Sequence, residues 1–247
     1  MISVSHLSKI FRLPHARKKT LFHNLTSIMS GGYEYEQLFA LNDISFRVNR
    51  GEFLGIIGRN GSGKSTLLKV IARIYQPTSG EVLVEDDVFP ILELGVGFQR
   101  DFTVHDNIFL YGSLIGFSRK QMNQKSKEIL EFAELTRFAD SKLEKLSSGM
   151  QMRLGFAIAI QSVAPIMLVD EVLAVGDKIF IEKCKKTFWQ LKKSGTTIIL
   201  VSHDNEAIRE FCDRVLVLNE GKLVYDGKTA DSIEYYDRNI LGVSQPS

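Results

Sequence analysis

Long apolar runs, cysteine pairs and an excess of one charge are missing from this sequence, and each absence excludes a class of protein. The chain has 247 residues, and its longest apolar stretches, such as 154–160, are well short of the ~20 residues that cross a bilayer. Cys184 and Cys212 are too few and too far apart for a disulfide framework or a four-ligand zinc site. Lys and Arg total 31 against 29 Asp and Glu, so the formal charge of +2 predicts no nucleic-acid partner. Because no stretch is long enough to cross a bilayer, any membrane role is expected to run through a partner protein. The first residues lack the apolar core of a signal peptide, so no export signal is expected.

Runs of branched apolar residues alternate with helical patterns, which predicts an α/β fold. The predicted strands are residues 53–57, 81–84, 166–169, 197–201 and 215–218. Apolar residues recur at helical spacing between about 103 and 164, where no branched run interrupts them, and this predicts a helical arm inserted in one core. A long helix is expected to begin near Ser147 and to end at Pro165.

One early segment has no strong periodicity. Residues 14–36 carry the basic cluster Arg17, Lys18 and Lys19 and then two glycines, which predicts a surface excursion that joins two strands. We therefore expect residues 1–247 to form a single domain with the excursion at 14–36 and the arm at about 103–164. The excursion supplies no catalytic motif, and loops longer than about 12–15 residues are uncommon unless they are functional or disordered, so we expect it to have a function of its own, with a solvated connector as the alternative.

A glycine-rich octet follows the apolar strand that ends at Ile57 and precedes a helical run that starts with Thr66. It reads Gly58, Arg59, Asn60, Gly61, Ser62, Gly63, Lys64 and Ser65. In this context the glycines let backbone amides converge on phosphate oxygens, and the helix start adds its positive dipole end. Lys64 would reach the β and γ phosphates, and Ser65 offers a hydroxyl to Mg²⁺. The octet therefore predicts a site for a nucleoside triphosphate.

Three further motifs follow in order. Ser147, Ser148 and Gly149 open a helix, the apolar strand 166–169 runs into Asp170 and Glu171, and His203 follows a later strand. This ordered set resembles the ABC ATPase family across nearly the whole chain. The resemblance implies a P-loop NTPase (RecA-like) core with a mixed sheet, an antiparallel β subdomain and an inserted α-helical signature subdomain.

The signature departs from the family's Leu-Ser-Gly-Gly-Gln pattern at Ser148 and Met150. A decayed, inactive site is one interpretation. The other is a subfamily, because the Ser-Ser-Gly-Met form, together with residues 169–177, resembles the ATPase subunits that export O-antigen, capsule and teichoic acid.

The roles of these residues come from two sources. Chemistry alone places Asp170, a carboxylate at a strand end beside a phosphate loop, on Mg²⁺. The resemblance implies ATP as the nucleotide, Glu171 as the group that polarises the attacking water, and His203 as a contact to the γ-phosphate. It also implies a head-to-tail homodimer, in which Ser147, Ser148 and Gly149 of one subunit close on the phosphate held by Lys64 of the other.

Two positions have competing candidates. The family's Mg²⁺-binding residue before the arm is placed at Glu93, after the strand-like run 88–92, and Gln99 is the alternative. The aromatic that stacks on adenine is placed at Phe11, and Tyr35 is the alternative.

The resemblance implies an exporter motor that powers transfer of a lipid-linked polysaccharide across the inner membrane. Such a subunit is peripheral at the cytoplasmic face and works with two copies of a polytopic permease. Some members append a carbohydrate-binding β-domain after the ATPase, and we expect this chain, which ends at Ser247, to be the version without one. A soluble ABC ATPase and an importer ATPase are the alternatives, and a GTPase or kinase would leave the signature and His203 unexplained.

Overall fold

Two β-sheets form the centre of the protein in the computed structural model, which describes residues 1–14, 35–92, 94–161, 164–171 and 176–242. The strands are β1 (Ile2–Pro14), β2 (Tyr35–Val48), β3 (Phe53–Ile57), β4 (Ser79–Val84), β5 (Val88–Ile91), β6 (Ile166–Asp170), β7 (Thr197–Val201), β8 (Arg214–Asn219) and β9 (Lys222–Lys228). The larger sheet has the order β5-β6-β7-β3-β8-β9 and is parallel except for the β8–β9 pair. The smaller sheet, β2-β1-β4, is antiparallel. The expected mixed sheet and antiparallel β subdomain are confirmed.

The burial of the central strands explains why they could be predicted from the sequence. Every residue of β3 and β7 is buried, because helices and the second sheet cover both faces of a parallel sheet. Such strands are continuous branched apolar runs, which stand out in a sequence. All five predicted strands are present. Strand β4 begins two residues earlier at Ser79, β6 extends one residue further to Asp170, and β8 is one residue longer at each end.

Seven helices complete the described part of the chain. They are α1 (Lys64–Ile71), α2 (Val104–Leu114), α3 (Arg119–Ala133), α4 (Ser148–Ala159), α5 (Lys178–Lys193), α6 (Asn205–Phe211) and α7 (Thr229–Asn239). Two short 3₁₀ turns, Thr136–Phe138 and Leu143–Lys145, lie between α3 and α4. Within these described residues no helix is long and apolar enough to span a bilayer.

Helix α4 is shorter than predicted. It ends at Ala159, whereas the sequence pattern was expected to continue to Pro165. The reason lies in its last turn, where the Gln161 N–H bonds to the carbonyl of Ile158, three residues back, and so tightens the backbone into a turn. Pro165 sets a limit that α4 cannot pass, but α4 already ends six residues before it.

Helices α2, α3 and α4 surround an apolar core of their own, and α4 joins this helical arm to the larger sheet. Leu154 and Ile158 of α4 belong to the core of the arm, whereas Phe156 and Ala159 belong to the core beside the larger sheet. Hydrogen-bonded capping boxes at Thr103 and Ser118 set the starts of α2 and α3. Helix α4 therefore connects two apolar cores.

The predicted excursion is mostly outside the described residues, since 15–34 are not described. Its ends are corrected: Pro14 belongs to β1, and Tyr35 and Glu36 belong to β2. Pro14 pairs with Tyr35 in an antiparallel ladder, so the two strands run further toward the excursion than the sequence indicated.

Candidate functional site

The glycine-rich loop lies between the buried strand β3 and helix α1, at the carboxyl edge of the larger sheet. A Cβ atom at Gly58 would lie 2.2 Å from the carbonyl oxygen of Leu218 and 2.6 Å from Oγ of Ser62. Gly63 has a φ of 104°, and a Cβ there would lie 2.5 Å from the carbonyl oxygen of Ala40. Both positions therefore require glycine, which allows the loop backbone to pass close to its neighbours.

Lys64 lies inside the loop. Its side chain is buried, and Nζ donates to the carbonyl oxygens of Gly58 at 2.8 Å and Arg59 at 3.1 Å. Burial lowers the pKa of Lys64, while the nearby carboxylates of Glu171 and Asp170 raise it. The ammonium therefore holds the loop closed through these two hydrogen bonds. Phosphate oxygens could replace the two carbonyl oxygens as its acceptors.

Asp170 ends strand β6 beside the loop. The Ser65 hydroxyl lies close enough to its carboxylate to lower the pKa of Asp170, but burial raises this pKa by more. Its Oδ1 atom is buried and accepts no hydrogen bond, one of two side-chain atoms in that state within the described parts; the other is Oγ of Ser62. A buried carboxylate oxygen without a partner beside a serine hydroxyl is suited to a hard divalent cation.

These residues fit Mg²⁺ held together with a nucleotide. In the described part of the chain no group of three His, Cys, Asp or Glu side chains could hold a metal by itself. Ser65 and Asp170 would supply two oxygen ligands, and Mg²⁺ in such sites commonly takes the rest from phosphates and water.

Glu171 and His203 meet at the mouth of the site. Strands β6 and β7 are parallel neighbours, so the residues that follow them share one edge of the sheet. Nε2 of His203 lies 2.8 Å from Oε1 of Glu171. Glu171 adopts a left-handed backbone with φ 56°, and its N–H bonds to the carbonyl of Val201 at 3.0 Å. A non-glycine residue held in this conformation is strained, and such strain clusters at functional sites.

A cavity of about 420 Å³ connects the loop to the smaller sheet. Its lining is Phe11, Leu38, Phe39, Ala40, Asn60, Gly61, Ser62, Gly63, Lys64, Ser65, Thr66, Glu171 and His203. Of the two aromatic candidates, Phe11 lies in this lining and Tyr35 does not. Phe11 packs edge-on against Tyr75, with 5.5 Å between ring centroids. Three predicted site residues do not line the cavity: Gly58, Arg59 and Asp170. They lie behind it, where they contact the lining residues Lys64 and Ser65.

Leu38 and Phe39 line the cavity, and sequence reasoning missed both. Leu38 is the ladder partner of Phe11 across the β1–β2 pair. Knowing that pairing requires the register of two strands separated by residues 15–34, which no local pattern indicates. Both side chains are about half exposed, so they form the open rim of the cavity.

The signature residues lie apart from this cavity. Ser147 caps α4 by accepting the N–H of Met150 at 3.3 Å, and both Ser147 and Ser148 are exposed. A Cβ atom at Gly149 would meet no atom within 4 Å. Ser147, Ser148 and Gly149 are absent from the described lining of the cavity. One chain therefore brings Lys64, Glu171 and His203 together but leaves the signature facing outward.

The position before the arm is not resolved between its two candidates. Glu93 is outside the described residues. Gln99 is exposed, and its backbone N–H and carbonyl both bond to the side-chain amide of Asn107, at 2.7 Å and 2.9 Å. This fixes the backbone at Gln99, but its side chain is not in the cavity lining.

The model of the ABC transporter family matches residues 41–174, which is more than half of the chain. The chain belongs to the ABC transporter family. The matched segment includes the phosphate loop, the signature residues Ser147–Gly149, Asp170 and Glu171, whereas Phe11 and His203 lie outside it. The protein is an ATPase of the ABC transporter type.

Individual relatives of this ABC ATPase match it over nearly its full length. The O-antigen export system ATP-binding protein RfbB of Klebsiella pneumoniae is 39% identical over 241 residues, covering 96% of this chain and 97% of that protein. The teichoic acids export ATP-binding protein TagH of Lactococcus lactis is 37% identical over 240 residues, covering 97% of this chain and 51% of that protein. A dimeric, post-hydrolysis structure of the ATP-binding cassette MJ0796 with ADP and Pi has a TM-score of 0.74 at 25% identity, covering 93% of this chain and 99% of that one.

Proposed function

We propose that this ABC ATPase is the motor subunit of an exporter that moves a lipid-linked polysaccharide, such as O-antigen, capsule or teichoic acid, across the inner membrane. The observation that carries the proposal is the near full-length similarity to the ATP-binding protein of an O-antigen export system. The Ser-Ser-Gly-Met signature at 147–150, which resembles that of such exporters, agrees with it.

Within one chain, the site is built to bind ATP and to activate water. Lys64 would exchange its two carbonyl partners for phosphate oxygens, and the backbone amides of the loop would bind the same phosphates. Mg²⁺, held by Ser65 and Asp170, would neutralise charge on the phosphates. Glu171 would accept a hydrogen bond from the attacking water, and His203, 2.8 Å from its carboxylate, would hold Glu171 in that orientation.

The working unit is proposed to be a head-to-tail homodimer. In it, Ser147, Ser148 and Gly149 of one copy would cover the γ-phosphate bound at Lys64 of the other. Two features support this pairing: the signature is exposed and away from the cavity of its own chain, and Gly149 faces open space. Since a helix N-terminus contributes only about 0.3–2 kcal/mol toward an anion, ATP itself would supply much of the closing energy.

The proposed partners are two copies of a polytopic permease, with this subunit peripheral at the cytoplasmic face of the membrane and with the lipid-linked glycan as cargo. Supporting this, relatives at 34–39% identity over most of the chain are ATP-binding proteins of O-antigen or teichoic acid export. No nucleic-acid partner is proposed, since the charge of +2 offers no basic excess.

A complementation experiment tests the proposal. In a strain lacking the chain, the wild-type protein should restore glycan at the cell surface, and Glu171→Gln at matched subunit level should leave lipid-linked glycan inside the cell. Glu131→Gln, which removes only a surface pair with Lys127, is the control and should restore export. Normal surface glycan in the deletion strain would refute the export function.

A further inference from the structure

Arg153 lies where the helical arm meets the core. It belongs to α4, and its side chain is only 17% exposed. One guanidinium nitrogen, Nη1, donates to Oε2 of Glu134 at 3.0 Å, and the other, Nη2, donates to Oδ2 of Asp177 at 2.6 Å. The guanidinium carbon also lies 5.0 Å from the ring centroid of Phe180. One planar cation thus contacts two segments that are far apart in the sequence, the end of α3 and the start of α5.

Each residue that Arg153 binds stands at a helix end. Glu134 follows α3 as its C-cap, in a left-handed conformation with φ 61°. Asp177 is the N-cap of α5, where its Oδ1 accepts the N–H of Phe180 at 3.0 Å. Arg153 therefore joins α4 to the end of one helix and the start of another, and the Asp177 carboxylate is held on its other side by the backbone of α5.

The packing around Arg153 restricts it further. A Cβ atom at Gly176 would lie 3.3 Å from Nε of Arg153, so the chain before α5 lies against the guanidinium. Lys183 of α5 closes the same junction, because its Nζ donates to the carbonyl of Phe132 at 2.7 Å and lies 3.9 Å from Glu134. The junction of α3, α4 and α5 is thus held by two cations.

We propose that Arg153 is a positioning residue of the ATPase reaction. It lies six positions after Ser147, about 9 Å along the same helix. Because a helix moves as a unit, the anchor at Arg153 fixes the direction in which α4 presents Ser147 and Gly149. Its second anchor, Asp177, opens α5, which comes after strand β6 and Glu171 in the core.

Arginine is suited to this role in a way that lysine is not. A guanidinium donates from two nitrogens in a fixed plane and so binds two carboxylates at once, whereas an ammonium is a single point charge. Arg153 is absent from the described lining of the nucleotide cavity, so its effect on hydrolysis passes through α4 and α5. The expected effect of Arg153 on hydrolysis rests on the proposed head-to-tail pairing, because only a paired copy would use the signature residues.

Kinetic constants form the first half of the test. With Arg153→Met, kcat for ATP should fall about 10²-fold, the loss that a 1 Å misplacement can cause, with KM unchanged. Arg153→Lys and Glu134→Gln, which each weaken one link, should lose about tenfold, while Glu131→Gln on the same α3 should match wild type. A change in KM alone, or a normal kcat in Arg153→Met, would overturn the proposal.

Spin labels on isolated, nucleotide-free protein form the second half and do not depend on pairing. Labels at Lys127→Cys in α3 and Lys193→Cys in α5 should give a narrow distance distribution that broadens in Arg153→Met and Glu134→Gln but not in Glu131→Gln. Unchanged widths with a reduced kcat would overturn the positioning role. A wild-type protein without ATPase activity would refute the proposed function instead. The widths of the distance distributions between the two labels would still decide whether Arg153 holds the junction. Should Arg153→Met fail to fold, Glu134→Gln carries both measurements.

Discussion

The two ends of the proposed ATP site differ in how far a single chain completes them. At Gly58, a single added methyl group would collide with Leu218 and Ser62, because the loop is already closed around Lys64. At Gly149 the same methyl group would meet nothing within 4 Å. The phosphate-loop end is thus built in the folded monomer, whereas the signature end has a defined backbone and, among the described residues, no atom opposite Gly149. The difference supports the proposal that one region binds the nucleotide and that the other completes the site of a second copy.

The largest effect is expected at the closed end. Glu171→Gln keeps the shape of the side chain but removes the carboxylate that would polarise water, so kcat should fall about 10²–10⁴-fold. ATP affinity should persist, because Lys64 and the loop amides are untouched. Single-turnover hydrolysis beside equilibrium ATP binding measures both. A wild-type rate would exclude Glu171 from the chemistry.

The two glycines give the most direct contrast. Gly58→Ala should weaken ATP binding in the monomer, since an overpacked site of this kind costs about 1–3 kcal/mol. Gly149→Ala should leave monomer binding unchanged and raise helix stability by up to about 1 kcal/mol, yet impair ATP-driven pairing. Calorimetric binding, thermal unfolding and size-exclusion chromatography separate the two outcomes. If both variants lost monomer binding, the two ends would not differ as described.

A smaller effect is expected at the rim of the cavity. Phe11→Ala should weaken ATP binding by about 1–3 kcal/mol if its ring stacks on the base. Tyr35→Ala is the matched variant, and it should change little because Tyr35 is outside the cavity lining. Comparing ATP with inorganic triphosphate isolates the base, and an equal loss for both ligands would contradict stacking by Phe11.

The smallest effect concerns the apolar core behind the phosphate loop. Burial raises the pKa of Cys184 and Cys212 from an ordinary 9.0 to about 12, so both thiols stay neutral at pH 8. We expect neither to react with a thiol reagent until the protein unfolds. Because the pKa of each thiol is higher in the folded than in the unfolded protein, the unfolded protein loses these protons first as the pH rises. The contribution of the two thiols to the free energy of unfolding is therefore complete below pH 9.0 and is lost as the pH rises toward about 12. Rapid labelling at pH 8 in native protein would contradict this burial.

Sequence predicted those parts of the fold whose signals are local. Strand β3 is a short apolar run, and the octet after it carries a glycine wherever the backbone needs one, so both could be found without knowing their neighbours. The end of α4 at Ala159 depends on one tightened turn, which the apolar pattern does not record. Leu38 depends on strand register, and Arg153 depends on how three helices meet, so neither could be found along the chain.

The candidate site divides in the same way. The order of Lys64, Glu171 and His203 predicted one site, and the structure brings the three residues to one cavity. The choice between Glu93 and Gln99 stays a prediction, as does the role of residues 14–36. Glu93 and residues 15–34 lie outside the described residues.

Mixing two inactive variants tests the central claim, that one chain holds the phosphates and another completes the site. Lys64→Ala destroys the phosphate end and leaves the signature, and Gly149→Asp does the reverse. Each alone should hydrolyse almost no ATP. Combined in equal amounts, they should regain roughly a quarter of the wild-type rate, because about half of the pairs are mixed and each mixed pair has one intact site of two. A mixture no more active than its separate components would contradict head-to-tail completion of the site.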